Sequence, residues 1–137
     1  YYYDETHTAT WPAQVVNYTA KTQYIFRINK QVLDVNDDAD LNKYVPQTER
    51  PIPFERMIYI ADGLTDVPCM RLVKEYGGKS IAVYSSNNAV AKSLKDVGRV
   101  NYIAKADYSS GSEMEQIVQS ILDHMKADEV LKKYEEK

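Results

Sequence analysis

Phe54-Glu55-Arg56-Met57-Ile58-Tyr59-Ile60-Ala61-Asp62-Gly63-Leu64-Thr65-Asp66-Val67-Pro68 is the stretch that decides how the chain reads. Met57 to Ile60 is apolar and β-prone, the pattern of a buried strand. It runs into a turn carrying two acids, Asp62 and Asp66, and a helix is expected directly after. Pro68 is tolerated in that helix's first turn. Gly63 is expected to supply a backbone bend that most residues resist. Carboxylates just beyond a strand's C-terminal end are placed to hold a hard cation, and open α/β sheets put their ligands there. The plainer alternative is that Asp62 starts a turn and Asp66 caps a helix.

Downstream, Val67 to Tyr76 reads as a helix ended by Gly77-Gly78. Ser80 to Tyr84 is a second buried strand, Asn88 to about Val97 a helix stopping at Gly98, and Val100 to Ala104 a third strand. The last helix runs from Ser112 to about Lys126. Ser112 and Glu115 form a capping-box pattern, and Met114, Ile117, Val118, Ile121, Leu122 and Met125 share one apolar face. Strands alternating with helices imply an α/β fold: a Rossmann-like parallel sheet with flanking helices and right-handed crossovers.

Upstream the signals are weaker. Tyr1 to Tyr3 and Trp11 to Val16, around the polar turn Asp4 to Thr10, read as a β-hairpin. A helix is expected from Lys21 to about Leu33, with Ile25, Ile28, Val32 and Leu33 as its apolar stripe. Asp34 to Asp40 is an acidic turn, Leu41 to Val45 one helical turn, and Pro46, Pro51 and Pro53 an extended connector. The 137 residues make about one domain. It divides into a hairpin region over 1–18, a helix and connector over 19–55, strand–helix repeats over 56–127 and a charged tail over 128–137, expected to fray.

Net charge is -3 with no basic block, so nucleic-acid binding has no electrostatic footprint. No apolar run approaches the roughly 18 residues that suggest a membrane span. Cys69 is the single cysteine, which excludes an intrachain disulfide and fits a reducing cytoplasm. A structural role is expected for it. His7 and His124 lack partners at metal-ligand spacing and are read as structural. No Gly-rich phosphate loop is present.

Lys21 sits immediately before the first expected helix. An ammonium there opposes the helix dipole unless an anion binds between them. Lys30 is the competing cation and reads as a solvated helix face. Asp38-Ala39-Asp40 mimics a D-x-D nucleophile motif but does not end an apolar strand, and Lys43 and Pro46 break its likeness to a calcium loop.

The stretch from Met57 through Met70, with Gly77-Gly78 and Ser80 to Tyr84 beyond it, resembles the fourth signature motif of the haloacid dehalogenase-like (HAD) phosphohydrolases, in their phosphoserine phosphatase-like subgroup. Ala61 stands where that family has Gly or Ser. The resemblance implies that Asp62 and Asp66 hold Mg2+ and that Lys21, as the family's third-motif lysine, is catalytic and binds phosphate. Asn17, Thr19 and Arg27 are further possible neighbours of that site. It also implies a small phosphomonoester substrate. The family's nucleophile, an Asp in D-x-D-x-T/V, is missing, and so is its second-motif Ser/Thr. The chain, which begins at Tyr1 without an initiator Met, is therefore expected to be the C-terminal part of a longer enzyme and inactive alone. The strand at Met57 to Ile60 is expected to expose an edge through which the fragment could dimerise or swap elements. The competing readings are a non-catalytic Mg/phosphate-binding module and a purely structural α/β domain.

Overall fold

The structure, a computed structural model, describes residues 2–11, 21–34, 36–46 and 49–135. The chain forms two compact units, Tyr1–Pro53 and Phe54–Lys137.

In the first unit, β1 (Tyr2–Tyr3) pairs antiparallel with β2 (Ala9–Trp11). The hairpin turn is tighter than expected, so Ala9 and Thr10 belong to the strand. The Asp4 carboxylate accounts for this, accepting the backbone N–H of both Thr6 and Thr8. Residues 12–16, expected to complete the second strand, lie outside the described residues.

Helix α1 (Lys21–Lys30) ends three residues before Leu33, at Gln31, whose φ of 55° lies in the left-handed region. Its buried face carries Ile25, Arg27 and Asn29, whereas Ile28 and Leu33 are exposed. The expected apolar stripe thus holds at Ile25 and fails at Ile28 and Leu33; the other buried side chains of the helix, Arg27 and Asn29, are polar and bind backbone. Arg27 Nη1 donates to the carbonyls of Val32 and Asp34 at 3.3 and 2.7 Å. Asn29 donates to the Ile52 carbonyl at 2.7 Å and accepts from Arg50 at 2.8 Å. Lys30 is not a solvated cation either: its ammonium donates to the carbonyls of Leu41 and Lys43. Helix α2 (Asp38–Asn42) begins three residues earlier than expected, because the Asp37 carboxylate caps it by accepting from the Asp40 N–H at 3.0 Å.

The second unit is the parallel α/β structure that the strand–helix alternation implies. A 3-10 turn at Phe54–Arg56 leads into β3 (Ile58–Ala61), followed by a 3-10 turn at Leu64–Asp66 and α3 (Val67–Glu75). Then come β4 (Lys79–Tyr84), α4 (Ala89–Asp96), β5 (Tyr102–Lys105) and α5 (Glu113–Glu135). The sheet order is β3-β4-β5, all parallel, with Ala61 opposite Ala82 and Val83 opposite Ala104.

Alternation along β4 makes two cores. Ala82 faces Met70 of α3 and Ala91 and Leu94 of α4. Ile81 and Val83 face Met114 and Ile121 of α5. Strand β4 is therefore buried on both faces, as a central parallel strand requires. Strand β3 is not the fully buried strand expected. Among the described residues it has a neighbour on one side alone, and Ile60 is 39% exposed.

Two glycines close α3 for different reasons. Gly77 has φ 98°, where a side chain is strained. At Gly78 a Cβ would lie 2.4 Å from the Phe54 carbonyl oxygen and 2.5 Å from Val73 Cγ1. Ser80, fully buried, donates to the Met70 carbonyl at 2.6 Å.

The C-terminal region 128–135 is helical rather than frayed. Its charged residues face partners at the start of the unit: Glu129 pairs with Arg56 at 3.1 Å and Lys132 with Glu55 at 2.8 Å. At the other end of α5, Ser112 accepts from the Glu115 N–H, while the Glu115 carboxylate accepts from Gly111 instead of Ser112. No helix among the described residues is long and apolar enough to cross a membrane.

Candidate metal-binding turn

Strand β3 ends at Ala61, so Asp62 emerges at the C-terminal edge of the parallel sheet. Its carboxylate is exposed and accepts no hydrogen bond from a described residue. The chain then makes one 3-10 turn, with the Asp66 N–H bonded to the Gly63 carbonyl at 3.1 Å, and enters α3.

Asp66 differs sharply from Asp62. It is 8% exposed and occupies the N-cap position of α3, yet its side chain makes no capping hydrogen bond. Instead its Oδ1 accepts from the Tyr59 hydroxyl at 2.9 Å. Its Oδ2 lies 3.4 Å from where a Cβ on Gly63 would sit. The carboxylate thus rests over Gly63, the residue next to Asp62, rather than over the first helical amides.

Gly63 is not the strained bend expected. Its φ of -110° and ψ of 154° are extended values open to any residue. What glycine provides here is room beside the Asp66 carboxylate. Pro68, in the first turn of α3, suits a helix start where no amide needs a partner.

Tyr59 was not among the residues singled out from sequence. Its phenol is pushed far above its usual range, first by burial and then by the hydrogen bond to Asp66, so it stays protonated and remains a donor. No local motif signals this contact, because it joins a strand residue to a helix start seven positions on.

Asp62 and Asp66 therefore both lie in the one turn that follows the C-terminal end of β3. Lys21 opens α1 in the first unit. Asn17 and Thr19 lie outside the described residues. Arg27 serves the end of α1, as described above. The segment Asp38-Ala39-Asp40 is the first turn of α2 and ends no strand. Cys69 is buried in α3. His124 lies 3.3 Å from Asp128 on exposed helix.

Among the described residues no three His, Cys, Asp or Glu side chains gather as a complete metal cage. Two carboxylates are fewer ligands than a complete magnesium shell, which ordinarily keeps waters and leans on substrate phosphate for the rest.

No family model matches the chain, and no solved structure matches it. It is similar to an uncharacterized protein of Borreliella burgdorferi, with 35% identity over 102 residues that cover 72% of this chain and 34% of that protein. The chain thus spans about a third of the length of that curated relative.

Proposed function

We propose that the chain is the C-terminal part of a magnesium-dependent HAD-like phosphohydrolase acting on a small phosphomonoester in the cytoplasm. The observation that carries this reading is the state of Asp66. Asp66 is 8% exposed with its Oδ2 beside Gly63, and the neighbouring Asp62 carboxylate is exposed and accepts no hydrogen bond from a described residue. Burying a carboxylate is costly, and a divalent cation held by it would offset that cost.

In this reading Asp62 and Asp66 hold Mg2+, which when bound neutralises and orients the substrate phosphate. Lys21, in the first unit, keeps in this reading the phosphate-binding and catalytic role that the family resemblance implies for it. The attacking aspartate and the acid–base aspartate come from sequence outside these 137 residues, so the chain by itself binds without turning over. The three-stranded parallel sheet with helices on both faces is compatible with such a core.

The test is hydrolysis of p-nitrophenyl phosphate by the whole protein and by the 137-residue chain, with and without Mg2+. Magnesium-dependent turnover by the whole protein alone supports the reading. Turnover by the isolated chain would refute the assignment of the nucleophile, and a whole protein indifferent to Mg2+ would refute the metal site.

A further inference from the structure

We propose that Tyr59 is the positioning residue of the acidic turn: its hydroxyl sets the direction of the Asp66 carboxylate and thereby the cation affinity of the Asp62–Asp66 pair. This rests on the metal-site reading above and adds to it a residue outside the turn itself.

The geometry is carried by rigid elements. Tyr59 lies in β3 in register with Ser80 of the buried strand β4. Its ring packs against the core built from Met70, Ala82 and Leu94. The position of the hydroxyl is therefore set by sheet and core rather than by the loop it serves, which is how a ligand is held to a fraction of an ångström. From there it donates to Asp66 Oδ1 at 2.9 Å, closing the Asp62–Thr65 turn from beneath. With Oδ1 engaged from the strand side, Oδ2 lies over Gly63.

Asp66 makes no capping hydrogen bond to α3, and its Oδ1 accepts from the phenol. A phenylalanine would fill the same core volume, so packing alone does not require the hydroxyl. Partners that orient a metal ligand are worth about 10- to 100-fold in affinity.

The experiment is calorimetric titration of Mg2+ into the whole protein, as wild type, Y59F, D66N and S80A, with metal-free melting of each. S80A is the structural control, since Ser80 makes a more deeply buried hydrogen bond in the same core without touching the turn. Expected are an increase in Kd of about tenfold for Y59F, a larger one for D66N, and none for S80A although its melting point falls. A Y59F affinity within twofold of wild type, with D66N weakened, would overturn the proposal and leave the metal site standing. No Mg2+ binding by wild type would overturn the metal site and this proposal with it. Should Y59F fail to melt cooperatively, tyrosine-labelled wild type decides by NMR. A Tyr59 ring resonance that moves on Mg2+ saturation supports the proposal, and one that stays fixed overturns it.

Discussion

Asp62 and Asp66 leave the same short turn in opposite states: the first is exposed at the end of β3, the second is 8% exposed under the start of α3. This asymmetry separates their contributions. The Asp62→Asn change should leave stability within about 0.5 kcal/mol, as exposed polar substitutions do. Asp66→Ala removes the half-buried hydrogen bond to the Tyr59 hydroxyl and should cost roughly 1 kcal/mol. Both should weaken Mg2+ binding at least about tenfold, since removing charged ligands lowers affinity. Urea unfolding beside metal titration reads the two effects apart.

The glycines of the second unit should rank by geometry. Gly78→Ala drives a Cβ to 2.4 Å from the Phe54 carbonyl oxygen. Backbone must move to admit it, so a loss of roughly 3 kcal/mol or more is expected, at or beyond the upper end of ordinary overpacking. Gly63→Ala meets the Asp66 carboxylate at 3.4 Å in an unstrained backbone. It should cost under about 1 kcal/mol while lowering Mg2+ affinity by crowding the acid. Denaturation midpoints of the two variants test the order.

Asp107 supplies a pH prediction. Its carboxylate accepts the hydroxyl and the N–H of Ser109, and these hydrogen bonds, the hydroxyl first, hold it below the usual aspartate range. A carboxylate with a depressed folded-state value stabilises the fold above its unfolded value and loses that contribution as pH falls through the folded one. Asp107→Asn should therefore be less stable than wild type at pH 7, with the gap closing below about pH 4. Melting curves across pH 3 to 7 check this, and a gap constant in pH would contradict it.

The doubly buried strand should be the most sensitive element. Ile81 is fully buried in β4 against α5, and Ile81→Ala should cost about 2–5 kcal/mol. Ile60, on edge strand β3 and 39% exposed, should lose well under half of that when changed to Ala. Paired unfolding curves read the contrast.

The second unit was largely legible because its signals are local and repeated. The apolar strands at β3 and β4, the glycines after α3 and α4, and the apolar face of α5, except for the exposed Leu122, each follow from period and punctuation. The first unit was not, because its order comes from side chains that bond distant backbone. Arg27, Asn29 and Lys30 lie between the expected apolar positions of α1, and each donates to carbonyls between Val32 and Ile52. Periodicity counts apolar residues and is blind to a buried guanidinium with carbonyl partners. The same limit hid Tyr59. The acids of the site stand out in sequence because they sit together in one turn, whereas the residue that orients one of them reads as an ordinary strand tyrosine.

The most direct measurement is Mg2+ titration of the whole protein, wild type against D62N, at fixed pH and ionic strength. Saturable one-site binding by wild type, weakened at least about tenfold in D62N with an unchanged melting point, is the predicted result. Equal binding by the two proteins, or none by wild type, would contradict a cation site at the end of β3.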